Sequence, residues 1–263
     1  MSNALALLNN YGGDSSDEEV PGPKVSTKRT FKEDEDCNYS KKRLPVPQQF
    51  LQSKSLEHQD DPSLHAGRVR SFAHERGNWA TFVHIPYEAQ CGVVELFSHI
   101  EETVPKHLEL KIADDFHISL TKTVILKYHW ISAFVKSLQE NLKHFRKFFI
   151  LFDSVKVYCN EERTRTFLGI QIRSGRDTLV KMVETLDICL KEYDLPTFYK
   201  DPSFHMSIAW CVGDVEKELQ NYLPQINDKL EQLMEIHSQD NWYIYVDYLL
   251  CKTGNKYFQF VLS

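Results

Sequence analysis

No stretch of the 263 residues nears the roughly 18 to 20 consecutive apolar positions of a membrane helix. Met1 to Asn10 lacks both the basic start and the apolar core of a secretory leader. Neither a membrane-spanning nor a secreted protein is expected. Metal-binding cysteine pairs are also missing: Cys37, Cys91, Cys159, Cys189, Cys211 and Cys251 form no C-x-x-C pair and have no His at zinc-ligand spacing. Free, reduced thiols are the reading, with Cys91, Cys189 and Cys211 expected as small buried hydrophobes inside apolar stretches. A cationic surplus is absent too. Lys and Arg number 31 against 37 Asp and Glu, for a net charge of −6, and residues 71–263 alone carry 21 against 26. Affinity for a long nucleic-acid tract comes from many Lys and Arg contacts to phosphate, so that class of binder is disfavoured and any contact with nucleic acid must be local.

The first 70 residues contain no Trp, hold five of the ten Pro, and include the acidic run Asp14 to Glu19 and the mixed run Lys32 to Asp36. Such a segment buries too little apolar surface to offset its ordering entropy, so residues 1–70 are expected to be a disordered charged tail. Within it, Lys41-Lys42-Arg43 before Leu44-Pro45 reads equally as a short nuclear-import signal or a solvated charge cluster.

Residues 71–263 hold 28 of the 32 aromatic residues and are expected to form one folded domain. Trp79 to Ile85 reads as a strand, and Tyr87 to Thr103 as a helix through Val93, Val94, Phe97 and Ile100. Phe116 to Leu120 reads as a strand, 129–145 as a helix and Phe148 to Val157 as a strand. The order then recurs. Arg165 to Ile172 is expected as a strand, 176–193 as a helix, Ser203 to Trp210 as a strand and Asp214 to Ile236 as one long helix. Two closing strands, Trp242 to Cys251 and Tyr257 to Leu262, flank the turn Thr253-Gly254-Asn255. The pattern implies an α+β fold built from two repeats.

A shared pentapeptide marks the repeats: Phe116-His117-Ile118-Ser119-Leu120 and Phe204-His205-Met206-Ser207-Ile208. With 11 His and 19 Ser in the chain, about one His-x-Ser tripeptide is expected by chance, so the matching flanks and equivalent placement carry the signal. On a strand, residues i and i+2 share a face, so each imidazole stands beside a hydroxyl while the apolar residues point the other way. Two imidazoles near their ordinary pKa of about 6.5 can act as base and acid, and two hydroxyls can hold phosphate oxygens. That set suits a phosphodiester, and an RNA 2′-OH would supply the nucleophile without a metal.

On these motifs the chain resembles the two-histidine (2H) phosphoesterases. The context Tyr199 to Ser207 followed by Ile208-Ala209-Trp210, with the charged tail, is similar to the branch that processes U6 small nuclear RNA. The resemblance covers residues 75–263. It implies a bilobed α+β fold with pseudo-twofold-related antiparallel sheets, flanking helices and a central groove. It also implies a nuclear 3′-to-5′ exoribonuclease or lyase. Its substrates would be RNA 3′ ends, the oligouridine or oligoadenosine tails of U6 snRNA, trimmed in the service of pre-mRNA splicing and left with a 2′,3′-cyclic phosphate. Carried over residue by residue, His117 and His205 are catalytic, as base and acid in that order, and Ser119 and Ser207 bind phosphate. Tyr199 stacks on the terminal base, and Ile118, Asp201, Pro202, Ser203, Phe204 and Met206 surround the nucleotide. No cofactor, metal or membrane partner is implied, and a monomer is expected. His84, His129 and His144 have no paired counterpart and read as structural or exposed. Two alternatives remain open: hydrolysis of small 2′,3′-cyclic nucleotides at the same site, or a non-catalytic RNA-binding scaffold.

Overall fold

The computed structural model describes residues 75–237 and 242–263, together with 62–65, 67 and 72. Apart from 62–65 and 67, the expected tail, including the Lys41 to Arg43 triplet, lies outside the described residues.

The first half runs β1 (Asn78–Pro86), α1 (Cys91–Thr103), β2 (Lys111–Ile112), β3 (His117–Ser119), β4 (Val124–Lys127), α2 (Ile131–Leu142) and β5 (Phe148–Cys159). The second runs β6 (Arg165–Ser174), α3 (Arg176–Lys191), β7 (His205–Val212), α4 (Glu216–Leu219), α5 (Leu223–Ile236), β8 (Tyr243–Val246), β9 (Tyr248–Thr253) and β10 (Lys256–Val261). Among the described residues the strands form one antiparallel sheet in the order β10-β9-β1-β3-β7-β6-β5-β8, with β4 also on β1 and β2 also on β7. The expected α+β architecture is present. β8 and β9 sit far apart in that order, yet only Asp247 separates them in the chain. The sheet must therefore curl until its distant parts approach one another.

One sheet face is the core. Val83, Ile85, Ile118, Met206 and Ile170 alternate inward along their strands and are all at most 1% exposed. The helices cover that face through stripes of helical period, such as Val93, Leu96, Phe97 and Ile100 on α1 and Leu179, Met182, Val183 and Leu186 on α3. Burying a side chain of this size is worth about 1.5–3 kcal/mol, more than a typical net hydrogen bond between neutral groups, and fixes which face turns inward.

Several boundaries differ from expectation for physical reasons. The helix before β3 begins at Cys91, so Cys91 is exposed at its first turn, and Val94 points outward at 49% exposure while Leu96 completes the buried stripe. The long helix expected over 214–236 divides into α4, a 3-10 turn Gln220–Tyr222 and α5. Pro224 lies in the first turn of α5, where it has no N–H to give and its ring crowds the carbonyl four residues earlier. The strand expected over 242–251 breaks at Asp247 because its two parts pair with different strands, β8 with β5 and β9 with β1. The two-residue β2 and the short β4 were not expected from the sequence.

Repeats and lobes are not the same division. On one side of the β3–β7 junction lie β1, β9 and β10, and on the other β6, β5 and β8. Each repeat contributes a β-α-β unit to its own side, β1-α1-β3 and β6-α3-β7, then sends a strand to the opposite side: β5 in one direction, β9 and β10 in the other.

Candidate active site

β3 and β7 are neighbours at the centre of the sheet, with Ile118 opposite Met206. In an antiparallel pair this register sets His117 across from Ser207 and Ser119 across from His205. The pseudo-twofold axis passes through the Ile118–Met206 pair. Both of those side chains are 0% exposed on the core face, so strand alternation drives the two imidazoles and two hydroxyls onto the open face.

Each imidazole is oriented by its own backbone. His117 Nδ1 donates to the carbonyl of Asp115 at 3.0 Å, and His205 Nδ1 donates to that of Ser203 at 2.7 Å. The same i−2 contact in both motifs leaves each Nε2 as the nitrogen available for proton transfer. Burial lowers the pKa of both from the ordinary imidazole value, opposed at each ring by its backbone hydrogen bond. A charge on His117 further lowers the pKa of His205. One neutral ring beside one charged ring is therefore preferred to two charged rings.

The surroundings of the two rings differ. His205 stacks on Tyr158 of β5, with ring centroids 3.7 Å apart and planes 13° from parallel. Gly169 of β6, opposite Ser207, makes the room: a Cβ there would come within 2.9 Å of His205 Cδ2 and 3.1 Å of the Tyr158 ring. His117 instead meets Phe82 and His84 of β1, with centroids 5.5 and 5.0 Å away. His84 is 2% exposed and its Nδ1 has no hydrogen-bond partner. Burial, and then the neighbouring His117, push its pKa down to about 4. His84 is thus structural, as expected, but it lies against the site. Its place on β1 opposite Ser119 was hidden because no local spacing reveals which strand neighbours which. Tyr158 was missed for the same reason.

The four motif residues line a groove of about 690 Å³ together with Lys122, Tyr158, Tyr199, Asp201, Ser203 and Phe204, among others. The segment 198–204 that supplies four of these is pinned by α3. Phe198 N–H donates to Asp187 Oδ1 at 2.9 Å, and Arg176 donates to Pro202 O at 2.6 Å and to Asp201 Oδ1 at 3.1 Å. Tyr199 is 46% exposed, and Lys122 Nζ sits 4.4 Å from its ring centroid. Among the expected nucleotide contacts, Ile118 and Met206 are on the wrong face to reach the groove, and Pro202 is buried with its carbonyl occupied by Arg176. Strand alternation excludes the first two side chains.

Among the described residues, Cys159, Asp214 and Glu216 bring three metal-ligating atoms close together. Arg163 already pairs with both carboxylates, at 2.6 and 2.7 Å, and holds Asp214 below the usual carboxylate range. The cluster is a surface ion-pair network organised around the Arg163 guanidinium.

The chain is similar to several known proteins. A family model, HVSL, described as an uncharacterised conserved protein, matches residues 44–261. U6 snRNA phosphodiesterase 1 of Danio rerio is 41% identical over 228 residues, spanning 84% of this chain and 81% of its own. The Homo sapiens protein of the same name is 38% identical over 237 residues, spanning 85% of each chain. The solved structure of Kluyveromyces marxianus Usb1 aligns with 69% of this chain and 97% of its own at 13% identity, with a TM-score of 0.48.

Proposed function

The chain belongs to the U6 snRNA phosphodiesterase 1 family, and from that premise we propose that it trims the 3′ tails of U6 snRNA, oligouridine or oligoadenosine, one nucleotide at a time. The observation that carries the reading is the cross-strand exchange at the centre of the sheet, His117 facing Ser207 and Ser119 facing His205. It sets two proton-transfer groups and two phosphate-binding hydroxyls around one point.

The reaction is a transesterification. The 2′-OH of the penultimate ribose loses its proton to Nε2 of His117, the O2′–P bond forms, the P–O5′ bond breaks, and Nε2–H of His205 protonates the departing oxygen. Ser119 and Ser207 donate hydrogen bonds to the non-bridging oxygens as charge builds there. The shortened chain ends in a 2′,3′-cyclic phosphate, and the terminal unit leaves past the Tyr199 loop, as a nucleoside in the first turnover and as a nucleoside 2′,3′-cyclic phosphate in each later one. Burial is the largest cause lowering the pKa of both rings, and at His117 the charge of Asp115 opposes that of Lys252. The base and acid roles follow from the aromatic face of Tyr158 stacked on His205, which favours the cationic form of that ring. Each such proton transfer is worth about 10²–10⁴ in rate. The family and the Lys41-Lys42-Arg43 triplet support a nuclear location, and the motif residues of one chain complete the site, so a monomer suffices for the reaction.

Mass spectrometry of the products from a short oligouridine tests the reading. The expected result is a ladder of shortened chains ending in cyclic phosphate, unchanged by EDTA, with resistance when the penultimate 2′-OH is replaced by hydrogen. Loss of activity in EDTA would overturn the reaction, and so would linear phosphate ends on the shortened chains. Tail binding without cleavage would indicate a scaffold.

A further inference from the structure

The Tyr199 loop and its groove lie on the β7 side of the histidine pair. On the other side the same open sheet face continues across β1, β9 and β10. His84, opposite Ser119, identifies that face on β1. Two residues along, Phe82 lies opposite Lys252 of β9, and Lys252 opposite Tyr257 of β10. The three side chains form a row leading away from His117, beginning with the Phe82 ring 5.5 Å from the imidazole. Lys252 Nζ lies 5.1 Å from the centroid of Tyr257, a ring that is 55% exposed. No ion pair among the described residues involves Lys252, and its charge reaches both His84 and His117.

The pseudo-twofold makes the position informative. Phe82 stands two residues before the partner of Ser119, and Phe167 two before the partner of Ser207. Across from Phe82 is Lys252, and across from Phe167 is Tyr158. At matching places, one lobe has a ring stacked on its histidine and the other has a lysine with no acidic partner among the described residues, beside an exposed ring. In a folded region with 26 acidic against 21 basic residues, a lysine on this face with no ion pair among the described residues stands out. A cation for phosphate and an aromatic face for a base are the two components of a single-strand nucleotide subsite.

We propose that Lys252 and Tyr257 bind the RNA upstream of the scissile phosphodiester, Lys252 pairing with the next phosphate on the 5′ side and Tyr257 offering its face to a base. The proposal rests on the reading of the site as an RNA phosphodiesterase. Transesterification puts the leaving nucleoside on one side of the reacting phosphate and the remaining chain on the other. The Tyr199 loop serves the first, and the Phe82–Lys252–Tyr257 row serves the second.

The test compares UpU, whose only phosphate is the scissile one, with UpUpU, which adds one phosphate upstream. For the unaltered chain, kcat/KM is expected to be about tenfold higher on UpUpU, mainly through KM. In Lys252→Met the ratio falls towards one, and the salt dependence on UpUpU becomes shallower by about 0.7 in log–log slope. Lys252→Arg restores the ratio, which separates loss of charge from loss of fold. Tyr257→Ala, which keeps the charge, lowers the ratio by a smaller factor. An unchanged ratio in Lys252→Met overturns the subsite. Failure of the unaltered chain to cleave either RNA overturns the underlying reading instead, so the two failures are distinguishable.

Discussion

The two lobes carry the same pentapeptide in different settings. Each presents His and Ser on the open face, binds the imidazole Nδ1 to the carbonyl two residues back, and places a Phe on the adjoining strand. Beyond that the lobes diverge: His84 stands where the other lobe has Gly169, and Lys252 where it has Tyr158. A duplicated strand supplies two equivalent proton carriers, but a directional reaction needs inequivalent ones. The difference between base and acid must then come from the neighbouring strands, which is where the lobes have diverged.

The strongest way to break the comparison is to remove each carrier in turn. His117→Ala and His205→Ala are each expected to lower kcat on oligouridine by about 10²–10⁴. The double variant should lose far less than the product of the single losses, because the two act in one concerted step. Steady-state release of terminal units measures all three. If one single variant kept a tenth of the activity, that lobe would be dispensable and the paired mechanism wrong.

A smaller effect is expected from exchanging one lobe's packing for bulk. In Gly169→Ala the added methyl would lie 2.9 Å from His205 Cδ2, and the ring cannot retreat while Tyr158 stacks on it and Ser203 O holds Nδ1. A shift of this order costs about 10- to 100-fold in kcat, with KM less affected. Tyr158→Phe keeps the stacked ring and should stay within a few-fold of the parent. A steady-state measurement of kcat on both variants checks the ordering; equal losses would mean that the phenol hydroxyl, 3.4 Å from Ser203 Oγ, matters as much as the stack.

Much of this was legible in the chain itself, for a physical reason. Period-two alternation around His117 and His205 fixes which side chains share a face, and the stripes of α1 and α3 fix the core, because both follow from local geometry. The identity of neighbouring strands does not. That His84 lies against His117, that Tyr158 lies under His205, and that β5 and β9 exchange lobes all depend on pairings between segments tens of residues apart. The assignment of Ile118 and Met206 to the nucleotide came from the resemblance, and alternation along their own strands argued against it. The break at Asp247 needed tertiary structure, since its alternating residues read as one strand until two partners claim them.

The mildest departure from symmetry is His84, and its signature is in stability. Its pKa of about 4 in the folded protein lies below the ordinary 6.5, so between those values the unfolded chain binds a proton that the folded one refuses. Stability therefore falls as pH drops from 6.5 towards 4 and levels off below. From this group alone the loss between pH 7.5 and pH 5 is roughly 2 kcal/mol. His84→Phe retains an aromatic ring against His117 and removes both the titration and the unpartnered Nδ1. Urea unfolding of the two proteins at pH 7.5 and pH 5 should show a small difference at the higher pH and an advantage for the variant at the lower. His205 titrates in both proteins and cancels in the difference, and His117 does so apart from its coupling to His84. A variant whose stability falls as steeply as the parent's would show that His84 is already charged, or already solvated, in the folded state.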